Sequence, residues 1–186
     1  MLLTDNSGLE ISRITTDQYG IRMGIVVDGV TIKTEIIAVA GFELDLPRSP
    51  HWSPVECLSI GDCFTSKLLA NADRYNDRRI HSRDLIDLAH LRLTGSIPAS
   101  AIAKSEATYY RAMPTLTDAL TQFQGDQDWR FECYEQLNIS SANRSRTIDG
   151  IDLLASDFSL GKTDRTIAES WGEPLKQPRR DLRDGK

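Results

Sequence analysis

Four charged residues in the middle of the chain have types and spacings that could do chemistry together. Lys67 and Arg74 are seven residues apart, and Asp84 and Asp87 are three apart. On helices, each spacing places its two side chains on one face. If the two helices pack side by side, two cations and two carboxylates meet beside a common groove. The alternative is a structural network of ion pairs, and the spacing alone leaves both interpretations open.

The apolar residues around these positions predict the helices that must carry them. From Leu58 onward, apolar residues recur at helical spacing, and Asp62 is the predicted N-cap of a helix that carries both cations. A second helix is predicted to begin at Ser82 and to end near Thr94, before a glycine. This second helix carries both aspartates.

A β-hairpin is predicted upstream of these helices. Two β-branched runs, residues 21–27 and 30–39, are joined by Asp28 and Gly29, which suit a type I′ turn because both tolerate positive φ. On the second strand, Lys33 and Glu35 share one face. That face is either the solvent side of the sheet or a place where Glu35 helps to hold Mg²⁺, which prefers oxygen ligands.

The predicted fold class is α+β, with a partial sheet followed by a mostly helical lobe. We assign residues 1–60 to the β-rich region, 61–172 to the helical lobe and 173–186 to a flexible basic tail. Within the lobe, Asp149 and Asp152 are predicted to form a solvated helix face. His90 is predicted to be a hydrogen-bonded packing residue.

Composition excludes several classes of protein. The net charge of -5 and the pI near 5.2 argue against a surface that binds nucleic acid over its whole extent. No apolar run approaches the roughly 20 residues of a membrane span, so we expect a cytoplasmic protein. The three cysteines form no CxxC pair, which argues against a disulfide framework and against a zinc knuckle.

The stretch "KLLANADRYNDRRIHSRDLIDLA" resembles the AbiEii/AbiGii-type nucleotidyltransferase toxins of abortive-infection, type IV toxin–antitoxin systems. In that family a Lys and an Arg seven apart precede an Asp-x-x-Asp pair, and Lys67, Arg74, Asp84 and Asp87 match all four positions. The similarity extends over about residues 15–93, and more loosely to 158. The resemblance implies transfer of a nucleoside monophosphate from a nucleoside triphosphate (NTP) to RNA or protein.

The resemblance also implies roles for individual residues. Lys67, Asp84 and Asp87 would be catalytic, with the aspartates orienting the cations or the acceptor. Lys67 and Arg74, together with Lys33, would bind the NTP. Glu35 would help to hold Mg²⁺.

The segment before Tyr19 departs from the family pattern. It has neither the Gly-Ser turn nor the Asp-x-Asp pair that hold triphosphate and metal in such proteins. The chain therefore resembles the C-terminal part of the family, and activity would require a missing N-terminal half from another polypeptide. The alternatives are a catalytically inactive remnant, an interaction protein, or a structural domain with internally paired charges. An exposed sheet edge further predicts a homo-oligomer, or a partner such as an antitoxin.

Overall fold

A computed structural model describes residues 10–37 and 41–171 of the chain. The chain divides into two compact units, Met1–Leu44 and Asp45–Lys186. The first unit contains the sheet and the second contains the helices, and each is described by itself. The predicted basic tail, 173–186, lies outside the described residues.

In the described residues of the sheet unit, three antiparallel strands form a meander in the order β1-β2-β3. Its strands are β1 (Glu10–Asp17), β2 (Gly20–Val27) and β3 (Val30–Ile37). The turn between β2 and β3 has φ values of 49° at Asp28 and 77° at Gly29, so both central residues are left-handed as a type I′ turn requires. The predicted hairpin is thus confirmed, although residues 38–40 of its second run lie outside the described part.

Strand β1 was not predicted, because its apolar residues do not alternate regularly. A register shift between Ile11 and Arg13 places Ile14, rather than Arg13, on the same face as Ile11. Such a bulge hides the period of two by which a strand is recognised. The carboxylate of Asp17 ends the strand by accepting hydrogen bonds from the N–H groups of the next turn.

The helical unit confirms the predicted α+β class. Its helices are α1 (Ile60–Arg74), α2 (Arg83–Arg92), α3 (Ala99–Thr108), α4 (Ala112–Gly125), α5 (Gln127–Gln136), α6 (Ser141–Asp157) and α7 (Ile167–Trp171), with a 3₁₀ turn at Arg78–Ile80. Helix α7 was not predicted from the sequence. Within the ranges described, none of the helices combines the length and the apolar character needed to span a membrane.

The prediction that Asp62 caps α1 was wrong, because Ser59 is the N-cap. The Ser59 hydroxyl accepts a hydrogen bond from the Asp62 N–H at 2.9 Å. The fully buried Asp62 carboxylate instead accepts from the N–H of Asp45 and from Lys104 Nζ. Burial raises the pKa of Asp62, but these hydrogen bonds and the charge of Lys104 outweigh it and hold the pKa below its usual range.

The expectation of a solvated face at Asp149 and Asp152 was wrong for Asp152. This carboxylate is buried, and it accepts hydrogen bonds from the N–H and hydroxyl of Thr163 and from Arg165. Asp149 is exposed and pairs with Arg165. The chain beyond α6 folds back along the helix, and no spacing within α6 could reveal this.

A third buried carboxylate, Glu169, fastens the short helix α7. The Nε of Arg130 donates to Glu169 Oε1 at 2.8 Å, and the Tyr134 hydroxyl donates to the same oxygen at 3.0 Å. Arg130 and Glu169 are both almost completely buried. Because a buried charge must be paired, this ion pair holds the end of the described chain against α5.

Helices α2 and α6 cross where only a glycine fits. A Cβ atom placed on Gly150 would lie 2.2 Å from the carbonyl oxygen of Ala89. Around this crossing lies the core shared by the helices, whose fully buried large side chains include Phe64, Leu68, Leu85, Leu88, Leu116, Leu120, Phe123, Tyr134, Ile148, Ile151 and Leu154.

We expect Gly150→Ala to lower the free energy of unfolding by about 1–3 kcal/mol, because α2 and α6 must move apart to admit the methyl group. This loss exceeds the gain of about 1 kcal/mol that alanine normally brings to a helix. Chemical denaturation measures it. Gly125→Ala is the matched control, since a Cβ there would meet nothing within 4 Å. Equal stability of the two variants would contradict a close crossing.

Candidate functional site

The structure brings together the four charged residues of the sequence pattern. Lys67 Nζ lies 2.5 Å from Asp87 Oδ2 and 3.4 Å from Asp84 Oδ1. Arg74 donates to both oxygens of Asp84, through Nε at 2.7 Å and Nη2 at 3.0 Å. Two cations on α1 therefore meet two carboxylates on α2, and we call this group the α1–α2 cluster.

The pairing follows from the way the two helices pack. Lys67 is close to Asp87, whereas Arg74 pairs with Asp84 alone, so α1 and α2 run antiparallel along this edge. Both helices contribute leucines to the same core, which sets their separation. Ser82 precedes α2 with φ of 52°, and its hydroxyl accepts from Trp129 Nε1 rather than capping the helix. The predicted helix start is thus confirmed in position, and its side-chain cap is absent.

Burial within the α1–α2 cluster is uneven. The Asp84 side chain is 1% exposed, whereas those of Lys67 and Arg74 are 34% and 43% exposed. The negative charge at the centre is therefore shielded from water, while both cations keep a side open to solvent. Because a guanidinium carries five N–H donors and an ammonium three, each cation retains donors that Asp84 and Asp87 do not use.

The carboxylates raise the pKa values of both cations. Burial alone lowers the pKa of Lys67, but hydrogen bonds and charge from Asp87 and Asp84 outweigh it, so the pKa lies above its ordinary value. The hydrogen bonds from Arg74 to Asp84 raise the pKa of that arginine as well. Lys67 is therefore an ammonium at neutral pH and cannot serve as a general base.

A groove of about 440 Å³ borders the α1–α2 cluster. Lys67, Asp87 and His90 line it together with Ser66, and two leucines and a cysteine complete the wall. His90 is half-buried, and its Nε2 lies 3.1 Å from the Thr147 hydroxyl, as expected for a packing residue. Burial lowers the pKa of His90, and the nearby charge of Arg146 lowers it further, so the imidazole is neutral at pH 7.

In the sheet unit, Lys33 and Glu35 share one face of β3, as predicted. Glu35 Oε1 lies 3.0 Å from Lys33 Nζ and 3.5 Å from Arg22 Nε on β2. Arg22 also pairs with Asp17 at 2.6 Å. Glu35 is thus held between two cations, an arrangement that competes with a metal ion for its oxygens.

Neither Glu35 on β3 nor the Asp84–Asp87 pair on α2 belongs to a metal centre within the described ranges. No group of three or more His, Cys, Asp and Glu side chains there is placed to hold a metal ion. An Asp-x-Asp sequence does occur at Asp126 and Asp128, which the sequence pattern did not single out. Asp126 caps α5 by accepting from the Trp129 N–H at 2.8 Å and pairs with Arg78 at 3.2 Å. Its role here is structural.

The sequence pattern did not identify Asn71 as a candidate site residue. Asn71 lies between Lys67 and Arg74 along α1. The residue is 2% exposed, and its Nδ2 atom has no hydrogen-bond partner among the described residues. The available signal was a polar residue in the apolar stripe, one helical turn after Lys67.

We expect Asp84→Asn to lower the free energy of unfolding by about 1–3 kcal/mol, allowing for solvent around its two cations. The loss arises because a buried neutral amide cannot compensate the charges of Lys67 and Arg74. Asp87→Asn is the matched control: its side chain is 40% exposed, so its loss should stay below about 1 kcal/mol. Urea denaturation of both variants tests this, and equal losses would show that Asp84 is not the centre of the network.

A comparison with protein families agrees with the resemblance carried by the α1–α2 cluster. The family model described as nucleotidyl transferase AbiEii toxin, type IV toxin–antitoxin system, matches residues 5–161. Neither the curated proteins nor the solved structures include a match to the chain. The matched range covers most of the 186 residues and includes both aspartates and both cations of the cluster. The chain therefore belongs to the AbiEii family of nucleotidyltransferase toxins.

Proposed function

We propose that the α1–α2 cluster binds the phosphates of an NTP and that the chain takes part in transferring a nucleoside monophosphate to a hydroxyl of RNA or protein. The observation that carries the proposal is the buried Asp84 carboxylate, which fixes two partly exposed cations side by side. Family membership supports the reaction class. Asp84 acts through the cations, and we name it a positioning residue.

The exposed sides of the two cations suit phosphate oxygens. Arg74 presents a planar fork that can bond two oxygens of one phosphate, whereas Lys67 supplies a compact charge. Because Asp84 and Asp87 already hold these groups in place, little ordering remains to be done when the ligand binds. The same carboxylates reduce the net charge of the cluster, so the expected affinity is modest.

The groove beside Lys67 offers room for the rest of the nucleotide. Its volume of about 440 Å³ falls within the usual range of ligand pockets, roughly 300–1,000 Å³. Its wall combines leucines with the polar groups of Ser66 and His90. In this proposal the sugar and base lie in the groove while the phosphates face Lys67.

The described residues do not fit a Mg²⁺ site built by this chain alone. Glu35 is engaged by Lys33 and Arg22, and Asp84 by Lys67 and Arg74. We therefore derive no step from a protein-bound metal, and we propose that Mg²⁺ enters with the nucleotide. Lys33 lies in a pocket of about 410 Å³ on the sheet together with Arg13 and Arg22, so its proposed part in substrate binding rests on local positive charge.

A second candidate function, that of an interaction protein, is favoured by the apolar face of the sheet. Ile14, Ile32 and Ile36 lie on the same face by register, and each is exposed. Such a face in a three-stranded sheet invites another polypeptide. We propose a second copy of this chain as its occupant, with an antitoxin or another polypeptide that supplies metal ligands as the alternatives.

We expect the purified chain to bind an NTP in the presence of Mg²⁺ and Lys67→Met to weaken that binding at least tenfold, because the phosphate loses an ammonium partner. Isothermal titration calorimetry measures both. Lys162→Met is the matched control, since Lys162 is exposed and lies outside the groove. Because Arg74 still pairs with Asp84, unfolding curves should show that Lys67→Met is folded, with a smaller stability loss than Asp84→Asn. Undiminished binding by this variant, or no binding by the wild type, would reject the nucleotide proposal.

We expect the chain to be a dimer in light scattering after size exclusion, and the double variant Ile32→Lys, Ile36→Lys to be a monomer. Charges on the apolar face oppose its burial against another surface. Thr31→Lys, on the opposite face of β3, is the control and should remain dimeric. A monomeric wild type would contradict self-association.

A further inference from the structure

A small polar cavity lies behind the α1–α2 cluster. Its volume is about 10 Å³, close to the roughly 10–15 Å³ that one water molecule requires. Asn71, Ser82 and Asp84 line it, together with Tyr75 and Gln122. A cavity this small with so many polar groups in its wall has the size and chemistry of a water site.

The strongest evidence for a ligand is the side chain of Asn71. This residue is 2% exposed, and its Nδ2 atom is a buried donor that finds no partner within the part of the chain that the structure describes. An unpaired buried donor costs free energy, and natural proteins rarely leave one unsatisfied. The cavity into which Asn71 faces also contains Asp84, whose carboxylate can accept more hydrogen bonds than it receives from Arg74 and Lys67.

We propose that this cavity binds one ordered water molecule, which accepts a hydrogen bond from Asn71 and donates one to Asp84. The second water hydrogen can be donated to the side-chain carbonyl oxygen of Gln122, whose amide nitrogen donates to Asn76 Oδ1. A water with three such partners satisfies the usual requirement of buried waters.

The water gives Asn71 a positioning role. Arg74 and Lys67 bond the Asp84 carboxylate from α1, and the proposed water would bond it from the cavity. Fixing the carboxylate also fixes the guanidinium that bonds both its oxygens. This second part rests on the proposed function, because it matters to the reaction only if the cations bind phosphate. The water site itself stands without it.

We expect Asn71→Leu, which keeps the side-chain size and removes the donor, to raise the unfolding equilibrium constant about tenfold. The reason is that the water loses a partner and Asp84 loses the water. A dry cavity predicts the opposite sign, since replacing an unpaired buried donor with an apolar group stabilises a protein. Asn143→Leu, an exposed position on α6, corrects for the helix propensity of the same exchange.

A readout at Arg74 separates positioning from stability. In NMR spectra under native conditions, we expect the Arg74 Nε–H signal to exchange faster with solvent in Asn71→Leu than in the wild type. The Arg92 Nε–H signal is the internal control, because Arg92 makes the same kind of pair with Asp157 at 2.8 Å outside the cavity wall. An unchanged Arg74 signal would reject the positioning role.

A crystal structure of the full chain observes the water directly. Ordered solvent between Asn71 and Asp84 would support the site, and its loss in Asn71→Leu would assign it to the amide. A cavity without solvent density, together with a stabilised Asn71→Leu variant, would overturn the proposal. None of these three experiments uses a nucleotide, so failure here and failure of NTP binding are distinguishable.

Discussion

The candidate site depends on one buried carboxylate. Asp84 is nearly inaccessible to water, and a charge in that position is tolerated only when partners compensate the lost hydration. Arg74 supplies two hydrogen bonds and Lys67 an additional charge, both from the neighbouring helix. The requirement to pair Asp84 therefore fixes the register of α1 against α2. It also determines where the two cations point, which makes stability and the proposed chemistry depend on the same interaction.

Buried carboxylates paired with cations recur at the edges of the helical unit. Asp62 fastens the segment around Asp45 through Lys104, and Asp152 holds the chain that follows α6. Glu169 joins α7 to Arg130 by the same means. In each case the carboxylate also accepts a backbone N–H, and its cation comes from a distant part of the sequence. These pairs attach the segments before α1 and after α6 to the helices that form the core.

The α1–α2 cluster differs from the Arg130–Glu169 pair in the exposure of its cations. Arg130 is buried and its donors are used within the protein, whereas Lys67 lines a groove and the side chain of Arg74 is 43% exposed. A buried guanidinium can only stabilise the fold, but a partly exposed one retains donors for a ligand. This contrast, rather than the number of ion pairs, is why we assign the α1–α2 cluster a binding role.

Local pattern was sufficient for much of the architecture. Spacings of seven and three placed the four charged residues on facing helix edges, and Asp28 with Gly29 determined the hairpin, because both signals depend only on backbone geometry over a few residues. The α+β class followed from the change of apolar period after Leu58. The family resemblance, carried by the same stretch, was confirmed over a longer range.

Tertiary structure decided which of several similar residues became buried and with what partner. Ser59 rather than Asp62 caps α1, because the Asp62 carboxylate accepts a hydrogen bond from Lys104, 42 residues away. Asp152 is buried because the chain beyond α6 returns to it, and α7 exists because Glu169 reaches Arg130. Helical or strand spacing encodes which face a residue occupies, but the free energy of burying a polar group depends on partners that only the folded chain brings near.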